Sequence, residues 1–459
     1  MKLDLGFCLA ATGARMNSSP GSDTEVLQCS TDSRSLSPGA LFFALKGPRH
    51  DGHEHAAEAF QRGAVAAVVS RLLPLDGPQL LVDDTLAALQ RLAAAARVQW
   101  GRERPRHVIG VTGSAGKTIT KDAIAAALST AFPTSKTTGN FNNHIGVPLS
   151  VLNLDDAARA AVIEIGMNHA GEIRALAAIA QPDIGVVTNV GTAHIESFDS
   201  IEDVARAKRE LIEALPAGGI AVLNADDERV RRFAQIHPGR TVFFGTSMVS
   251  AAAGDDVIAS GVAWQADGCD FTIRGAGRFH CRLPARGGLM AALAALATAR
   301  ALDLDLASLR DAVAQLEPPK MRLQRMERDG IVIWDDCYNS NPEAACMMLD
   351  LLAVTPAARR IAVLGEMLEL GKWSEELHRS VGRHAVECKV SVLVGIRGAA
   401  RHLVDEARGA GLTAGAAYFF DEPSDAGQFL KTIARRGDCI LFKGSRGTRV
   451  ELALEEFLR

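Results

Sequence analysis

A glycine-rich segment, GVTGSAGKT at residues 110–118, contains the residue types that hold a polyphosphate. Gly113 and Gly116 allow a tight turn after a predicted strand, and Lys117 and Thr118 open a predicted helix. Backbone N–H groups at such a helix start point at phosphate oxygens, the lysine neutralises charge, and the threonine hydroxyl is a magnesium ligand. The segment lacks the first glycine of the strict P-loop pattern and reads T-G-x-x-G-K-T. The predicted nucleotide-binding residues here are Gly113, Ser114, Ala115, Gly116, Lys117 and Thr118.

Three further side chains are candidates for catalysis and for metal binding beside this loop. Glu164 interrupts an apolar, buried strand, and a buried carboxylate requires a cation or hydrogen-bond donors. His194 follows the next strand, where a neutral imidazole is a possible ligand. With Thr118 they offer oxygen and nitrogen ligands for one or two Mg²⁺ ions. For each residue taken alone, another interpretation remains open. Glu164 could be satisfied by a structural ion pair or hydrogen bonds, and His194 could be a loop histidine that binds no metal. Lys208 lies on a predicted helix, where a lysine is normally a solvated surface charge.

The elements that position these residues form an α/β fold of three domains. Short β-rich runs alternate with helical stretches, which is typical of a parallel sheet with crossover helices. In the middle of the chain the predicted strands are VIGVTG (108–113), AVIEIG (161–166), IGVVTNV (184–190) and GIAVLN (219–224). In the last third they are IVIWDD (331–336), RIAVLGE (360–366), VSVLVG (390–395) and DCILFKGS (438–445). We predict a central parallel-sheet P-loop ATPase domain, a C-terminal doubly wound, Rossmann-like domain and a small N-terminal α/β domain.

Two breaks mark the predicted domain boundaries. The first is WGRERPRH (100–107), a charged segment with a proline, and the second is LEPPK (316–320), where paired prolines cannot continue a helix. The predicted domains are therefore residues 1–103, 104–317 and 318–459.

Composition excludes several classes of protein. A net charge of −4 lacks the basic excess that binding to a nucleic-acid backbone requires. The eight cysteines include no C-x-x-C pair, which argues against a zinc site and a disulfide framework and favours a reducing compartment. The longest apolar run, residues 289–299, is half a membrane span and indicates a core helix. The first residues lack the uninterrupted apolar run of a signal peptide, so we expect a cytoplasmic protein without insertion into a membrane.

The T-G-x-x-G-K-T loop followed by Glu164 and His194 resembles the Mur ligase superfamily. These enzymes join amino acids or short peptides to a carboxylate during the synthesis of cell-wall precursors, and folylpolyglutamate synthetases are related to them. The resemblance implies ATP as the nucleotide and Mg²⁺ as the metal. It also implies that Lys208, in an A-K-x-E segment, is carbamylated and thereby becomes a carboxylate-like Mg²⁺ ligand.

Segments of the C-terminal domain indicate which member of the superfamily the chain resembles. WDDCYNSNPEAA (334–345), VLGEMLELG (363–371) and LFKGSRGTRVE (441–451) are similar to those of members that add D-alanyl-D-alanine to UDP-N-acetylmuramoyl-tripeptide through an acyl phosphate. The D-N-P-R motif of members that add diaminopimelate or lysine is absent. The resemblance implies that Arg322, Asp336 and Tyr338 contact the nucleotide. Asn339 and Lys443 are the implied substrate contacts, at the dipeptide and the reacting carboxylate.

The resemblance extends to the first domain, which is similar to the uridine-nucleotide-binding domain of the family. STDSR (30–34) implies substrate contacts from Ser33 and Arg34. TTGNFNNHIGVP (137–148) matches a segment that grips the muramoyl substrate, with Thr138, Asn140 and Asn143 as implied contacts. An asparagine-rich turn is the alternative reading of this segment. We expect the chain to act as a monomer.

One departure from the family pattern concerns adenine. An H-N-x-x-N stretch that meets the base is replaced here by Gly287, Gly288 and Ala291, so we expect adenine recognition to differ. Two other interpretations stay open. The chain could be a different amino-acid or glutamate ligase of the superfamily, or a nucleotide-binding regulator without ligase chemistry.

Overall fold

The computed structural model describes residue 1 and residues 3–17, 23–102, 105–247, 255–265 and 268–459. Within these ranges the chain forms three mixed or parallel sheets in succession, each covered by helices, which confirms the predicted three-domain α/β class. The predicted boundary at residues 103 and 104 lies outside the described residues. Among the helices that the structure describes, none combines the length and apolarity needed to cross a bilayer.

The first sheet has the strand order β2-β7-β6-β5-β4, with β2 antiparallel and the rest parallel, and β1 pairs with β3 beside it. The strands are β1 (Leu3–Asp4), β2 (Arg15–Met16), β3 (Glu25–Val26), β4 (Gln28–Ser30), β5 (Ala40–Phe43), β6 (Ala66–Val69) and β7 (Gln79–Leu81). The helices are α1 (Leu5–Thr12), α2 (Ala56–Gln61) and α3 (Thr85–Arg102). Helix α3 therefore continues into the segment predicted as a linker, because Trp100 is buried and stacks under the guanidinium of Arg106 at 4.3 Å.

The second sheet has the order β16-β15-β14-β13-β12-β11-β8-β10-β9. Its strands are β8 (His107–Thr112), β9 (Thr134–Lys136), β10 (Ala160–Glu164), β11 (Ile184–Val187), β12 (Ile220–Asn224), β13 (Arg240–Gly245), β14 (Val257–Gln265), β15 (Gly268–Ile273) and β16 (Gly277–Cys281). Its helices are α4 (Lys117–Leu128), α5 (Gly146–Leu152), α6 (Glu172–Ala180), α7 (Ile201–Glu213), α8 (Glu228–Arg232), α9 (Ala285–Ala301) and α10 (Arg310–Ala314). Neighbouring strands from β9 through β13 to β14 pair in parallel, whereas β15 and β16 add antiparallel pairings beyond β14. The sequence did not predict β14, β15 or β16.

The third sheet has the order β17-β18-β22-β19-β20-β21, and only its edge strand β17 is antiparallel among the described strands. The strands are β17 (Gln324–Arg328), β18 (Ile331–Asp336), β19 (Arg359–Gly365), β20 (Val392–Ile396), β21 (Ala417–Phe420) and β22 (Asp438–Lys443). The helices are α11 (Pro342–Val354), α12 (Ser374–Glu387), α13 (Ala400–Gly409), α14 (Pro423–Ile433) and α15 (Glu451–Leu458). The LEPPK segment lies between α10 and β17, as its prolines predict.

Burial explains why the parallel strands are continuous apolar runs. Helices cover both faces of these sheets, so side chains on either face of a strand are buried. The predicted core helix at 289–299 is confirmed as part of α9, which is buried along almost its whole length. Strand β8 lies between β10 and β11, so the chain leaves its carboxyl end at a switch point of the sheet, where open α/β sheets bind ligands.

Candidate active site

A cavity of about 1310 Å³ opens at the carboxyl ends of the parallel strands, between the second and third sheets. The predicted site residues that line it are Ser114, Ala115, Gly116, Lys117, Thr118, Asn140, Asn143, Glu164, His194, Arg322, Asp336, Tyr338, Asn339 and Lys443. Side chains widely separated in the sequence thus face one space large enough for a nucleotide and a second substrate.

The glycine-rich loop forms the floor of this cavity between β8 and α4. Gly113 has φ +152°, and a Cβ there would lie 1.9 Å from Thr188 Oγ1, so the position requires glycine. Gly116, at φ +79°, caps the start of α4 in the left-handed conformation. Lys117 Nζ donates to the carbonyl of Gly113 at 2.8 Å, which folds the amine back over the loop. The arrangement presents helix N–H groups and one ammonium to an anion.

Residues after β11 hold the loop in this shape, and the sequence reading missed them. The side chain of Asn189 accepts from Ala115 N at 2.8 Å and donates to Ala115 O at 3.0 Å. Ser114 Oγ donates to Gly191 O at 2.9 Å. The signal available was the TNVG segment, polar residues at the end of the strand adjacent to β8.

Glu164 ends β10 as a buried carboxylate with one oxygen unused. Its Oε1 accepts from Asn142 Nδ2 at 2.7 Å, while Oε2 has no hydrogen-bond partner within the described part of the chain. Asn142 was not among the predicted contacts. Burial lowers the pKa of Lys117, and the negative charge of Glu164 opposes that change. A buried carboxylate oxygen without a donor is what a divalent cation would satisfy.

His194 adopts a left-handed backbone conformation, φ 62°, just past β11. Its Nδ1 lies 2.6 Å from Glu369 Oε2, which comes from the third sheet, but the approach lacks hydrogen-bond geometry. The proximity of His194 lowers the pKa of Glu369, while burial acts in the opposite direction. The contact joins two sheets at the cavity, and Glu369 was not predicted.

Lys208 lies on α7 beneath the cavity and does not line it. The residue is 1% exposed. Burial lowers the pKa of Lys208 well below its usual value, the charge of Lys117 lowers it further, and Glu343 acts in the opposite direction. The surface-charge interpretation of Lys208 is therefore wrong. A lowered pKa favours the neutral form of this amine, and a neutral amine is a nucleophile.

The third sheet contributes a buried ion pair at the ends of β18 and β22. Lys443 Nζ donates to Asp336 Oδ2 at 2.5 Å and to Asn339 O at 3.0 Å. The guanidinium of Arg322 lies 4.1 Å from the centre of the Tyr338 ring. All five residues line the cavity opposite the glycine-rich loop.

Some predicted contacts lie elsewhere. Ser33 donates to Glu58 at 2.6 Å and Arg34 pairs with Asp32, and neither Ser33 nor Arg34 lines the cavity. Thr138 is exposed and also does not line it. Asn143 accepts from Gly146 N at 2.9 Å, so this side chain serves the turn before α5 as well as facing the cavity.

The start of α9, where the H-N-x-x-N stretch is missing, also faces the cavity. Gly287 and Met347 line this part, and a Cβ on Gly287 would lie 2.8 Å from Met347 Sδ. Arg286 pairs with Asp226 at 2.9 Å. The space of one missing side chain is thus partly occupied by a methionine from α11.

Contacts at the start of α11 join the second and third sheets directly. Glu343 accepts from Thr192 N at 2.7 Å and from Thr192 Oγ1 at 3.1 Å. Asn341 Nδ2 donates to Ser114 O at 3.4 Å. The cleft is therefore assembled from two units, and its geometry depends on how they meet.

Comparison with known proteins agrees with this geometry. Three family models match the chain. The model described as "Mur ligase family, catalytic domain" matches residues 25–97, "Mur ligase middle domain" matches residues 111–299, and "Mur ligase, glutamate ligase domain" matches residues 321–446. The chain is 36% identical to UDP-N-acetylmuramoyl-tripeptide--D-alanyl-D-alanine ligase of Escherichia coli (strain K12), over 96% of this chain and 94% of that protein. The chain belongs to the Mur ligase family. The protein of the same name from Bacillus subtilis (strain 168) is 34% identical, over 93% of this chain and 92% of that protein.

Solved structures of other Mur ligases share the whole architecture. MurF from Acinetobacter baumannii superposes with a TM-score of 0.89 at 28% identity, covering 100% of this chain and 99% of that one. MurF ligase from Thermotoga maritima, crystallised in complex with ADP, superposes with a TM-score of 0.80 at 29% identity, covering 94% of this chain and 96% of that one. The resemblance that the motifs indicated is therefore confirmed over the full length of this Mur ligase.

Proposed function

We propose that this Mur ligase joins D-alanyl-D-alanine to the terminal carboxylate of UDP-N-acetylmuramoyl-tripeptide, with conversion of ATP to ADP and phosphate. The observation that carries the proposal is the near full-length similarity to relatives named for this reaction. The product is the pentapeptide precursor of peptidoglycan, so the activity belongs to cell-wall synthesis and cell division.

A carboxylate is a poor electrophile, so the reaction requires activation and control of negative charge. The amides of residues 113–118 and the ammonium of Lys117 hold the transferring phosphoryl group in line with the substrate carboxylate. Transfer gives an acyl phosphate and ADP. The free amine of D-alanyl-D-alanine attacks the acyl carbon, and phosphate leaves from a tetrahedral intermediate. No protein nucleophile is needed, so positioning and electrostatics supply the rate.

The metal that we assign to this site is Mg²⁺, which supplies charge neutralisation on the phosphate oxygens when it is bound. Thr118, Glu164 and His194 would hold it, and the unpartnered Oε2 of Glu164 supports that fit. Carbamylated Lys208 is the fourth proposed ligand. The lowered pKa of Lys208 favours the neutral amine that reacts with carbon dioxide.

Carbamylation is tested by removing carbon dioxide. Enzyme in CO₂-depleted buffer should lose activity and regain it on addition of bicarbonate, whereas Lys208→Ala should not respond. Full activity of the wild-type enzyme without carbon dioxide, at unchanged pH, would contradict the assignment.

The remaining substrate contacts are divided among the three proposed domains. Residues 1–103 bind the uridine nucleotide through Ser33 and Arg34, and residues 104–317 bind ATP. Thr138, Asn140 and Asn143 hold the muramoyl peptide. Residues 318–459 bring Arg322, Asp336 and Tyr338 to the nucleotide, and Asn339 and Lys443 to the dipeptide and reacting carboxylate. We propose a monomer of the cytoplasm; the free thiols of the cysteines support a reducing compartment.

The proposed reaction is tested by ADP release with UDP-N-acetylmuramoyl-tripeptide and a panel of amine acceptors. D-alanyl-D-alanine should give the highest kcat/KM, and a Lys117→Ala variant should give no turnover with any acceptor. Preference for a single amino acid, or for glutamate on a folate, would identify a different ligase. Nucleotide binding without turnover would identify a regulator.

A further inference from the structure

A second group of metal-ligand side chains lies away from the active-site cavity, where α11 packs against α12. Asp350 is on α11, and His384 and Cys388 are one turn apart at the end of α12. His384 Nε2 lies 2.8 Å from Asp350 Oδ1, and Cys388 Sγ lies 3.6 Å from the same oxygen and 3.5 Å from Nε2. Three different donor atoms therefore form one small triangle.

The size of this triangle fits one face of a tetrahedral metal site. With zinc-to-ligand distances of about 2.0–2.3 Å, neighbouring donor atoms in a tetrahedron lie roughly 3.3–3.8 Å apart. Both distances that involve sulfur, 3.5 and 3.6 Å, fall in that range. The nitrogen-to-oxygen distance is shorter because a hydrogen bond joins these atoms in the metal-free protein, and it has to open by roughly 0.5 Å on binding.

The other ring nitrogen of His384 is also supported. Its Nδ1 lies 3.3 Å from Glu387 Oε2, and in metal sites a carboxylate commonly accepts from the ring nitrogen that does not bind the metal. When Nε2 coordinates a metal, Glu387 can accept a hydrogen bond from the proton on Nδ1. An ordinary surface ion pair would need only His384 and Asp350. Here Glu387 also approaches the second ring nitrogen, and the Cys388 thiol lies beside the ion pair.

We propose that Asp350, His384 and Cys388 bind a Zn²⁺ ion, with solvent in the fourth position. On binding, the thiol of Cys388 loses its proton to solvent and a sulfur–metal bond forms. The proton on Nε2 of His384 moves through solvent to Nδ1, where Glu387 accepts it. No oxidation or reduction takes place.

The spacing of cysteines in the sequence gave no sign of this site. The ligands are contributed by two helices, as a single aspartate on α11 and an H-x-x-x-C pair at the end of α12, whereas C-x-x-C spacing detects sites formed by one loop. The expectation that the chain has no zinc site followed from that spacing alone.

The site clamps the helix whose first turn reaches the active site. Asn341 and Glu343 at the start of α11 contact Ser114 and Thr192 across the cleft. A metal near the middle of the same helix would fasten it to α12. We therefore expect zinc to raise the thermal stability of the third sheet and its helices without itself entering the reaction.

Cobalt provides the test, because a thiolate bound to Co²⁺ gives a charge-transfer absorption band in the near ultraviolet. Metal-free, full-length protein is titrated with Co²⁺ and then with Zn²⁺, which should displace the cobalt and abolish the band. Among the residues that the structure describes, no cysteine lines the active-site cavity, so a thiolate band does not arise from metal bound there.

Three variants assign the band to these residues. It should disappear in Cys388→Ser and in His384→Gln. His402→Gln is the matched control, because His402 belongs to the same domain, is similarly half-buried and lies 3.8 Å from Glu375, and this variant should keep the full band. A wild-type protein without a thiolate band overturns the proposal. So does an undiminished band in Cys388→Ser or His384→Gln, provided that circular dichroism shows each variant folded.

Discussion

At the scale of single residues, the burial of Lys208 carries a cost in stability. The residue is buried on α7, and burial disfavours the charged form of its amine. In the unfolded chain the same amine is hydrated and protonated at neutral pH. Folding must therefore remove a proton or bury a charge, and either process lowers the free energy of unfolding.

Replacing Lys208 by methionine should make the protein more stable and inactive. A side chain of similar volume without charge removes the penalty, and substitutions of this kind at buried charges stabilise by roughly 1–4 kcal/mol. Urea unfolding at pH 7 without nucleotide, metal or carbon dioxide, which leaves Lys208 as the free amine, measures the difference in stability, and ADP release measures the loss of activity.

The control is the pH dependence of the difference in unfolding free energy between Lys208→Met and the wild type. The folded-state pKa of Lys208 is lowered, so the unfolded chain binds more protons between the two pKa values and the wild type gains stability as pH rises. Above the ordinary lysine pKa both states are neutral, and the advantage of Lys208→Met should disappear. An advantage that is constant over this range, or a variant less stable than the wild type, would contradict the assignment.

The two glycines at the start of α9 respond differently to a methyl group. A Cβ on Gly288 would lie 2.5 Å from Leu283 Cβ and 2.6 Å from the Leu283 carbonyl, so backbone has to move, whereas Gly287 meets only the flexible end of Met347. We expect Gly288→Ala to destabilise by about 1–3 kcal/mol. Gly287→Ala should be neutral or stabilising, since alanine favours the helix. Urea unfolding of the two variants checks this, and equal effects would contradict it.

At the scale of elements, the ends of β18 and β22 are joined by the Asp336–Lys443 pair inside the cleft. Asp336→Asn leaves a buried ammonium without its counter-charge, and breaking such a pair costs about 3–5 kcal/mol. We expect urea unfolding to show this loss, together with a large fall in kcat/KM. Asp336→Asn combined with Lys443→Met should recover most of the stability and none of the activity. Recovery of activity in the double variant would show that the pair only supports the fold.

The sequence predicted elements well where a strand is apolar on both faces and ends in a polar residue. Strands β8, β10, β18 and β22 follow the predicted runs within two residues at each end. The antiparallel strands β14 to β16 were missed because their exposed faces interrupt the apolar pattern. Loop contacts such as Asn142 with Glu164 were also missed, because a pairing across 22 residues depends on how β9 and β10 pack and leaves no local signal.

At the scale of the whole molecule, the second and third sheets meet around the cavity through polar contacts and through the packing of α11 against α9, where Met347 lies beside Gly287. Glu343 contacts Thr192, Glu369 approaches His194, and Glu369 O accepts from Glu196 N at 3.2 Å. Because polar contacts at a rim are individually weak, we expect the two units to separate around the LEPPK segment. The phosphate loop is on one side and the Asp336–Lys443 pair on the other, so only the closed form contains both.

We therefore expect closure to depend on substrates and on Glu343. In small-angle scattering, the radius of gyration should fall when UDP-N-acetylmuramoyl-tripeptide and a nonhydrolysable ATP analogue are added together. Glu343→Gln should require about tenfold more ligand for the same decrease, which corresponds to about 1.4 kcal/mol of lost contact with Thr192. Glu376→Gln is the control, because this glutamate pairs with Arg383 on the surface of α12, and the variant should close as the wild type does. Profiles that stay identical with and without both ligands would contradict closure, and catalysis would then have to proceed in a cleft that is already assembled.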